Sequence, residues 1–381
     1  MSIPSSTERA RGEAMDGAWM ARAVMLAHRG VALAHPNPMV GAVVVRNDRI
    51  VGEGFHTYEG RKHAEVIALE QTRGEARGAT LYVNLEPCCH SGRTGPCTNA
   101  IIAAGLKRVV VAMKDPNPKV AGRGIAELRR AGLDVTIGVR QAEARRLNEA
   151  FARWIGSGLP FVTLKSALTL DGQITALGGT VTWITSPASR EEVQRLRHSS
   201  DGLLTGIGTV LADNPRMSDR TGLPRRKRLL RVIIDSKLRL PLKSRIVRSV
   251  RKKDVLAFTA ESAKTAKARA LVKAGVEVVQ TSSHAGHVDL KAILLELGRR
   301  EVLSVILEAG GGLNGAMLEA GLVDKAILFY APKILGTVTV PVAQYRPGNI
   351  GKNSTLQNLA LRRFGPDFAV EGYLRDVYRN H

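Results

Sequence analysis

Apolar positions along the 381-residue chain change period several times, and each change marks an element. Residues 17–28 carry Met20, Val24 and Ala27 at helical spacing, with Gly30 placed to end the helix. Met39 to Val45 and Arg49 to Gly52 flank Asn47-Asp48, which predicts a hairpin. A helix over His63 to Glu70, a strand over Thr80 to Leu85, a helix over Cys97 to Ala104 and a strand over Val109 to Ala112 follow. Gly124 to Ala131 reads as a helix stopped by Gly132, and Val135 to Ile137 as the last strand of this part. Helices and strands alternating in this way predict an α/β sheet covered by helices.

Gly156, Ser157, Gly158 and Pro160 interrupt both periodicities between Trp154 and Pro160. We place a domain boundary there, dividing the chain into residues 1–157 and 158–381. The second part starts again with a strand over Phe161 to Lys165. Further apolar strands are expected at Gly202–Thr205, Arg231–Asp235, Val255–Thr259, Val276–Val279, Ser304–Glu308 and Ala326–Tyr330. Helical stretches such as Glu191–His198 and Asp289–Gly298 lie between them, so the second domain is also α/β. Residues 337–352 carry no readable pattern, and no internal repeat links the halves.

Composition changes this picture at three points. Lys and Arg number 56 against 34 Asp and Glu, a formal charge of +22 that favours anionic partners. The densest basic runs, Arg225 to Arg228 and Arg251 to Lys253, precede apolar strands and read as solvated loops. Cys88, Cys89 and Cys97 lie within ten residues, a poor disulfide framework and a good metal site. No apolar run reaches the ~18 residues of a membrane span, and no signal-like segment opens the chain, so the cytoplasm is the expected location.

The metal-site chemistry is concrete. His63 and Glu65 fall on one predicted helix, Pro87-Cys88 follows a strand, and Cys97 opens a helix whose dipole favours the thiolate. One imidazole and two thiolates suit tetrahedral Zn2+ and leave a fourth position for water. Zinc lowers the pKa of such a water to about 7. Glu65, two residues from His63, is placed to move protons between water, a ring nitrogen and departing ammonia. His-x-Glu with Pro-Cys is the pattern of zinc nucleobase deaminases. A closed structural zinc site with Cys89 or His90 as fourth ligand is the competing arrangement.

Eight residues, including Gly92-Arg93-Thr94, separate Cys88 from Cys97. That loop resembles the bifunctional deaminase–reductase family of riboflavin biosynthesis, as do Pro36-Asn37-Pro38-Met39-Val40-Gly41 and Asp115-Pro116-Asn117-Pro118-Lys119 through Gly124. The resemblance implies a cytidine-deaminase-like α/β/α domain acting on a phosphorylated diaminopyrimidine. By the same resemblance Asn37 contacts the ring, and His90, Arg93, Asp115 and Asn117 help to hold the substrate. Asp115 and Asn117 each precede a proline, and turn chemistry alone also accounts for them. Cys89 and Ser91 depart from the family's usual Ser and aromatic residue.

The second domain lacks Gly-x-Gly-x-x-Gly but has two glycine-rich turns, Thr205 to Thr209 and Glu308 to Gly312. Such turns let a phosphate approach a helix N-terminus, and a tight bend explains each as well. Thr163 to Gly172, Trp183-Ile184-Thr185, Ser200 to Gly206, Thr209 to Pro215 and Ala331 to Gly336 resemble the reductase domain of the same family. That resemblance implies a dihydrofolate-reductase-like α/β fold and NADPH. It places cofactor contacts on Ala167, Trp183, Thr209, Asp213, Ser236, Gly310, Gly311, Gly312, Leu313, Asn314, Gly315 and Ala316. It places substrate contacts on Lys165, Val181, Arg197, Met217, Arg220 and Glu308. Val181 replaces the usual hydroxyl residue, and Ser218-Asp219 the usual Thr-Val before Arg220.

The implied activity is zinc-dependent hydrolytic deamination of diaminohydroxyphosphoribosylaminopyrimidine, followed by NADPH-dependent reduction of the ribosyl group of 5-amino-6-(5-phosphoribosylamino)uracil to ribityl. Asp213 and Glu308 are both candidates for the reductive proton donor. The alternative is a nucleic-acid or nucleoside deaminase with an accessory domain. An aromatic content of 4% and the eight-residue loop weigh against nucleic acid, which is bound through stacking aromatics. A homo-oligomer is compatible with the sequence, which does not set the oligomeric state.

Overall fold

The protein is described from a computed structural model covering residues 6–90, 95–176, 183–336, 339–345 and 354–379. It divides into two compact units. The first comprises 6–157 together with 224–226 and 378–379; the second comprises the described residues of 158–223 and 227–377. The expected division at 157/158 thus acquires two short returns of chain to the first unit.

In the first unit the order is α1 (Ser6–His28), β1 (Gly41–Arg46), β2 (Arg49–Phe55), α2 (Ala64–Gln71), β3 (Thr80–Val83), α3 (Cys97–Ala103), β4 (Arg108–Val111), α4 (Arg123–Arg130), β5 (Asp134–Ile137), α5 (Gln141–Leu147) and α6 (Glu149–Ser157). The sheet runs β2-β1-β3-β4-β5, antiparallel through β2-β1-β3 and parallel from β3 onward. Asn47 and Asp48 both take positive φ, +50° and +55°, which a tight hairpin turn requires. The helix α1 begins at Ser6, well before residue 17, and its polar Asp16 is buried. Arg108 grips that carboxylate with two bonds of 2.8 and 2.6 Å, and the Tyr82 hydroxyl adds a third of 2.8 Å. Ala42, Val44, Leu81, Val83, Val109 and Val111 from the sheet meet Ile101 and Leu128 from the helices in one core. Gly54 lets α2 lie directly on β2: a Cβ there would sit 2.3 Å from the Ala64 carbonyl. That close packing seats the helix that carries His63 and Glu65.

The second unit contains β6 (Phe161–Thr169), β7 (Gln173–Ala176), α7 (Pro187–Ser199), β8 (Gly202–Gly206), α8 (Ile207–Asp213), β9 (Leu230–Ile234), α9 (Arg245–Arg248), β10 (Val255–Thr259), α10 (Ala266–Lys273) and β11 (Glu277–Gln280). It continues with β12 (Ser283–His284), β13 (His287–Val288), α11 (Leu290–Arg299), β14 (Ser304–Leu307), α12 (Gly311–Glu319), β15 (Lys325–Ala331), β16 (Thr339–Pro341), β17 (Gln357–Phe364) and β18 (Asp367–Tyr373). Nine strands form one sheet in the order β11-β10-β9-β8-β14-β6-β15-β18-β17. Pairing is parallel from β11 to β15 and antiparallel at β15-β18 and β18-β17. The C-terminal ends of β8, β14 and β6 therefore lie side by side, the usual place for a ligand crevice in such sheets.

Three expectations are corrected. Helix α6 continues through Trp154 to Ser157 and stops at Gly158, whose φ is +70°, so the break is shorter than the composition implied. Strand β17 was not expected from the sequence: it is exposed at every position but Phe364, which is half-buried, so no face of it carries a buried apolar pattern. The run Arg225 to Arg228 is not simply solvated. Arg226 stacks 3.5 Å from the Tyr58 ring centroid and donates to the His35 carbonyl, while Arg228 pairs with Asp254. The second run, Arg251 to Lys253, is exposed as expected.

Candidate active sites

His63 caps the N-terminus of α2 in extended conformation, and Cys97 is the first residue of α3. Cys88 follows β3 in the loop between them. His63 Nδ1 lies 3.0 Å from Cys97 Sγ and 3.4 Å from Cys88 Sγ, and the three ligand atoms all lie within 4.8 Å of one another. The Cys97 backbone N–H points at Cys88 Sγ from 3.4 Å, so the start of α3 supports a thiolate there. Among the described residues neither Cys89 nor the exposed His90 joins the cluster, which leaves three donors and an open fourth position. A hydrogen bond from Cys97 pulls the Cys88 thiol down to about 4, and the same bond pushes Cys97 up. A zinc ion would favour both thiolates. Glu65 is buried in the first turn of α2; burial, reinforced by Cys88, pushes its carboxyl up to about 7. A group so poised can both take and give a proton near neutrality.

Around this cluster the structure gives turn roles to two expected substrate residues. Asp115 Oδ1 accepts from the Asn117 N–H at 2.8 Å, and Asn117 Oδ1 from the Lys119 N–H at 3.0 Å. Both are Asx turns, and the same side chains lie in the loop after β4, parallel to the β3 strand that leads to Cys88. Asp115 is buried, and burial followed by Glu86 and Cys88 pushes it up to about 7. Asn37 bonds to the buried His56, whose ring stands edge-on to His63 at 5.6 Å. Arg93 lies outside the described residues, as does Ser91.

Sequence reasoning missed Glu86. Its buried carboxylate accepts from the backbone N–H groups of Asp115 at 3.1 Å, Gly122 at 2.8 Å and Ile125 at 3.2 Å. It thereby ties the Asp115 loop and the start of α4 to the Pro87-Cys88 strand end. Sequence reasoning also missed His56.

In the second unit, Lys165 on β6, Arg197 on α7 and Glu308 after β14 meet. Arg197 Nε and Nη2 reach Glu308 at 2.7 and 2.9 Å, and Lys165 Nζ lies 3.7 Å from it. Burial alone would raise Glu308; Arg197 and Lys165 outweigh it and hold the carboxyl at about 2. Burial lowers Lys165, with Glu308 opposing. Two cations against one anion leave an excess positive charge in a low-dielectric place, which suits an anionic group. The Asp219 departure is explained: its carboxylate accepts from buried His198 at 2.9 Å and from the Thr221 N–H at 2.9 Å. Arg197 bonds the Ser218 carbonyl and Gln194 bonds the Arg220 N–H, so α7 holds the whole turn that carries buried Met217 and exposed Arg220. Val181 lies outside the described residues.

The expected cofactor residues separate into two groups. Gly311, Asn314 and Gly315 are buried under residues 341–344: Asn314 donates to the Ala309 and Val342 carbonyls, and a Cβ on Gly315 would lie 2.0 Å from the Gln344 carbonyl oxygen. All three pack against that segment. Gly310 caps α12 with nothing within 4 Å of where its Cβ would be, and Gly312 is exposed. Leu313 and Ala316 are half-buried on the same helix. Ala167 lies on β6, Thr209 and Asp213 on α8, and Ser236 just beyond β9, where its Oγ accepts from the Val288 N–H. Trp183 is 64% exposed beneath the Arg190 guanidinium, 4.8 Å from its ring centroid.

Comparison with known proteins agrees with both constellations. Residues 14–113 match the cytidine and deoxycytidylate deaminase zinc-binding region, and residues 160–370 match the RibD C-terminal domain. The riboflavin biosynthesis protein RibD of Escherichia coli is 43% identical over 336 residues, 84% of this chain and 89% of its own length. The chain belongs to the RibD family. Its fold is likewise that of RibD from Acinetobacter baumannii, with a TM-score of 0.83 at 36% identity over 95% of this chain and 99% of that one. The deaminase/reductase of Thermotoga maritima superposes with a TM-score of 0.81 at 36% identity, again covering 95% and 99%. As a RibD, the protein is a bifunctional deaminase and reductase of riboflavin biosynthesis, with a deaminase zinc-binding cluster at His63, Cys88 and Cys97. No helix among the described residues is long and apolar enough to cross a membrane.

Proposed function

We propose that the first domain, 1–157, deaminates diaminohydroxyphosphoribosylaminopyrimidine, and that the second, 158–381, reduces 5-amino-6-(5-phosphoribosylamino)uracil with NADPH. The observation that carries the first half is three soft donors converging beside a buried carboxylate, with the fourth position open. The donor set fits zinc. When bound, zinc supplies the Lewis acidity that activates water. Glu65 would move the protons in two relays: it takes one from the attacking water and gives it to the ring nitrogen, then takes the second from the hydroxyl left on the ring carbon and gives it to the leaving amine. Asn37, His90, Arg93, Asp115 and Asn117 hold the substrate.

For the second half, NADPH supplies hydride when bound. Gly310 offers an unobstructed helix start for a phosphate, and Ala167, Trp183, Thr209, Asp213, Ser236, Gly312, Leu313 and Ala316 complete its contacts. Lys165, Arg197 and Arg220 bind the anionic ribose phosphate, and Glu308 holds the first two cations in place. Glu308, held at about 2 by Arg197 and Lys165, is ionised at neutral pH, and Asp213 is the other candidate for the proton donor.

The test is to incubate the protein with the diaminopyrimidine nucleotide, with and without NADPH, and identify products by mass. Deaminated product without NADPH, and its ribityl counterpart with it, are expected. Glu65→Gln should keep stoichiometric zinc, lose deamination by at least ~10²-fold and still reduce the deaminated substrate. Loss of zinc in that variant, or near wild-type deamination, would remove Glu65 from the mechanism.

A further inference from the structure

Asn37 and His56 form a chain whose hydrogens are dictated by its far end. His56 follows β2, is 4% exposed, and places Nδ1 2.9 Å from the Lys62 carbonyl oxygen. A carbonyl can only accept, so Nδ1 carries the hydrogen. With the hydrogen on Nδ1, Nε2 is the acceptor nitrogen of the ring, and it faces the nitrogen of the Asn37 amide. Nε2 lies 2.9 Å from the Asn37 side-chain amide, and only an N–H can face a lone pair. The amide nitrogen of Asn37 is therefore committed to His56. Its Oδ1 has no hydrogen-bond partner among the described residues.

We propose that His56 is a positioning residue that fixes the Asn37 amide so that it presents a carbonyl acceptor to an N–H edge of the pyrimidine. The inference rests on the reading of Asn37 as a ring contact given above. The chemistry of the substrate matches this orientation. The carbon to be deaminated carries an amine, and the pyrimidinone ring has an N–H beside it, so that edge is rich in donors. A reversed amide would set donor against donor and leave buried groups unpaired, which is how a site rejects a ring of the wrong pattern. The ring of His56 also packs on the metal ligand His63 with rings 82° apart, so the imidazole of the relay borders the zinc cluster. The selection is thus relayed from the Lys62 backbone, through a neutral imidazole, to the substrate edge.

The test uses the full-length zinc enzyme and the diaminopyrimidine nucleotide. His56→Phe and His56→Ala, which cannot accept from Asn37, should lower deaminase kcat/KM by about 10–100-fold, mainly through KM. Zinc stoichiometry and the reductase rate should stay at wild-type values. His56→Gln can donate to Lys62 and accept from Asn37 at once, and should recover activity to within about threefold of wild type. In an Asn37→Ala background, His56→Phe should add no further loss, because the two act through one bond. Additive losses, no recovery in His56→Gln, or zinc loss in both truncated variants would overturn the proposal. If Asn37→Ala alone deaminates normally, the reading of Asn37 as a ring contact fails instead, and the relay falls with it.

Discussion

Asp115 shows at a single residue how function and stability oppose each other. Its carboxyl is pushed from 3.8 up to about 7, by burial first and then by Glu86 and Cys88. A folded-state value above the unfolded one means that the folded protein holds a proton the unfolded chain releases. Stability therefore falls as pH rises from about 4 to about 7, and the full penalty applies above that. Each tenfold difference in proton affinity is about 1.4 kcal/mol, so Asp115→Asn should stabilise the protein by roughly 1–2 kcal/mol near pH 8 after allowance for relaxation, with the gain shrinking toward pH 4. The amide keeps the bond to the Asn117 N–H, while deamination weakens through loss of the charge. Denaturant unfolding of both proteins at two pH values checks this; equal stability at pH 8 would show that Asp115 is solvated. The cluster of His63, Cys88 and Cys97 could be read from the sequence, since zinc chemistry restricts both residue type and spacing. Glu86 and His56 could not. Both work through backbone groups, Glu86 on the Asp115, Gly122 and Ile125 amides and His56 on the Lys62 carbonyl, and a sequence does not display which amides converge.

At the scale of elements, alternation made the parallel parts of both sheets legible, because strands such as β8, β9 and β10 are buried and mostly apolar. The exposed β17 was not legible, since nothing buries one of its faces to create a pattern. The glycines of α12 were legible only as glycines. Their two uses, approach by a ligand and approach by the protein's own chain, leave the same mark in sequence. The structure separates them, and a pair of substitutions tests the separation. Gly315→Ala would place Cβ 2.0 Å from the Gln344 carbonyl and force residues 341–344 off the helix, at a cost of about 2–3 kcal/mol. Gly312→Ala meets only Gln344 Oε1 at 3.8 Å, and should stabilise the helix by about 0.5–1 kcal/mol. Because Gly312 faces outward beside the open Gly310, the same alanine should weaken NADPH. Unfolding midpoints and cofactor titration of the two variants are the measurements. Similar stability in both would mean that the 341–344 segment yields, and that packing does not explain Gly315.

For the whole molecule the open question is the charge of +22. A nucleic-acid function would use it as a continuous basic path with stacking aromatics. Among the described residues many individual cations are engaged within the protein, although pairing with carboxylates leaves the net excess unchanged. Arg22, Arg108, Arg231 and Arg300 are engaged with Glu53, Asp16, Asp254 and Glu277, and Arg197 is buried against Glu308. Aromatic faces are occupied by the protein's own cations: Arg29 over Phe55, Arg226 over Tyr58 and Arg190 over Trp183. A single nucleotide offers few phosphates to neutralise, so its binding should release few counterions and depend only weakly on salt. NADPH titrated into the full-length protein by calorimetry should lose affinity by roughly tenfold at most between 50 and 200 mM salt. Neutralising 6–10 DNA phosphates would cost about 10³–10⁵-fold over the same range. Arg220→Ala should weaken the ribosyl substrate more than NADPH, since Arg220 lies on the turn that α7 holds beside the Lys165–Glu308–Arg197 cluster. Single-stranded and duplex DNA serve as competitors in the same titration. Tight DNA binding with a steep salt slope, and displacement of NADPH by DNA, would mean that the pairing seen here does not quench the basic surface, and that the charge serves a polyanion after all.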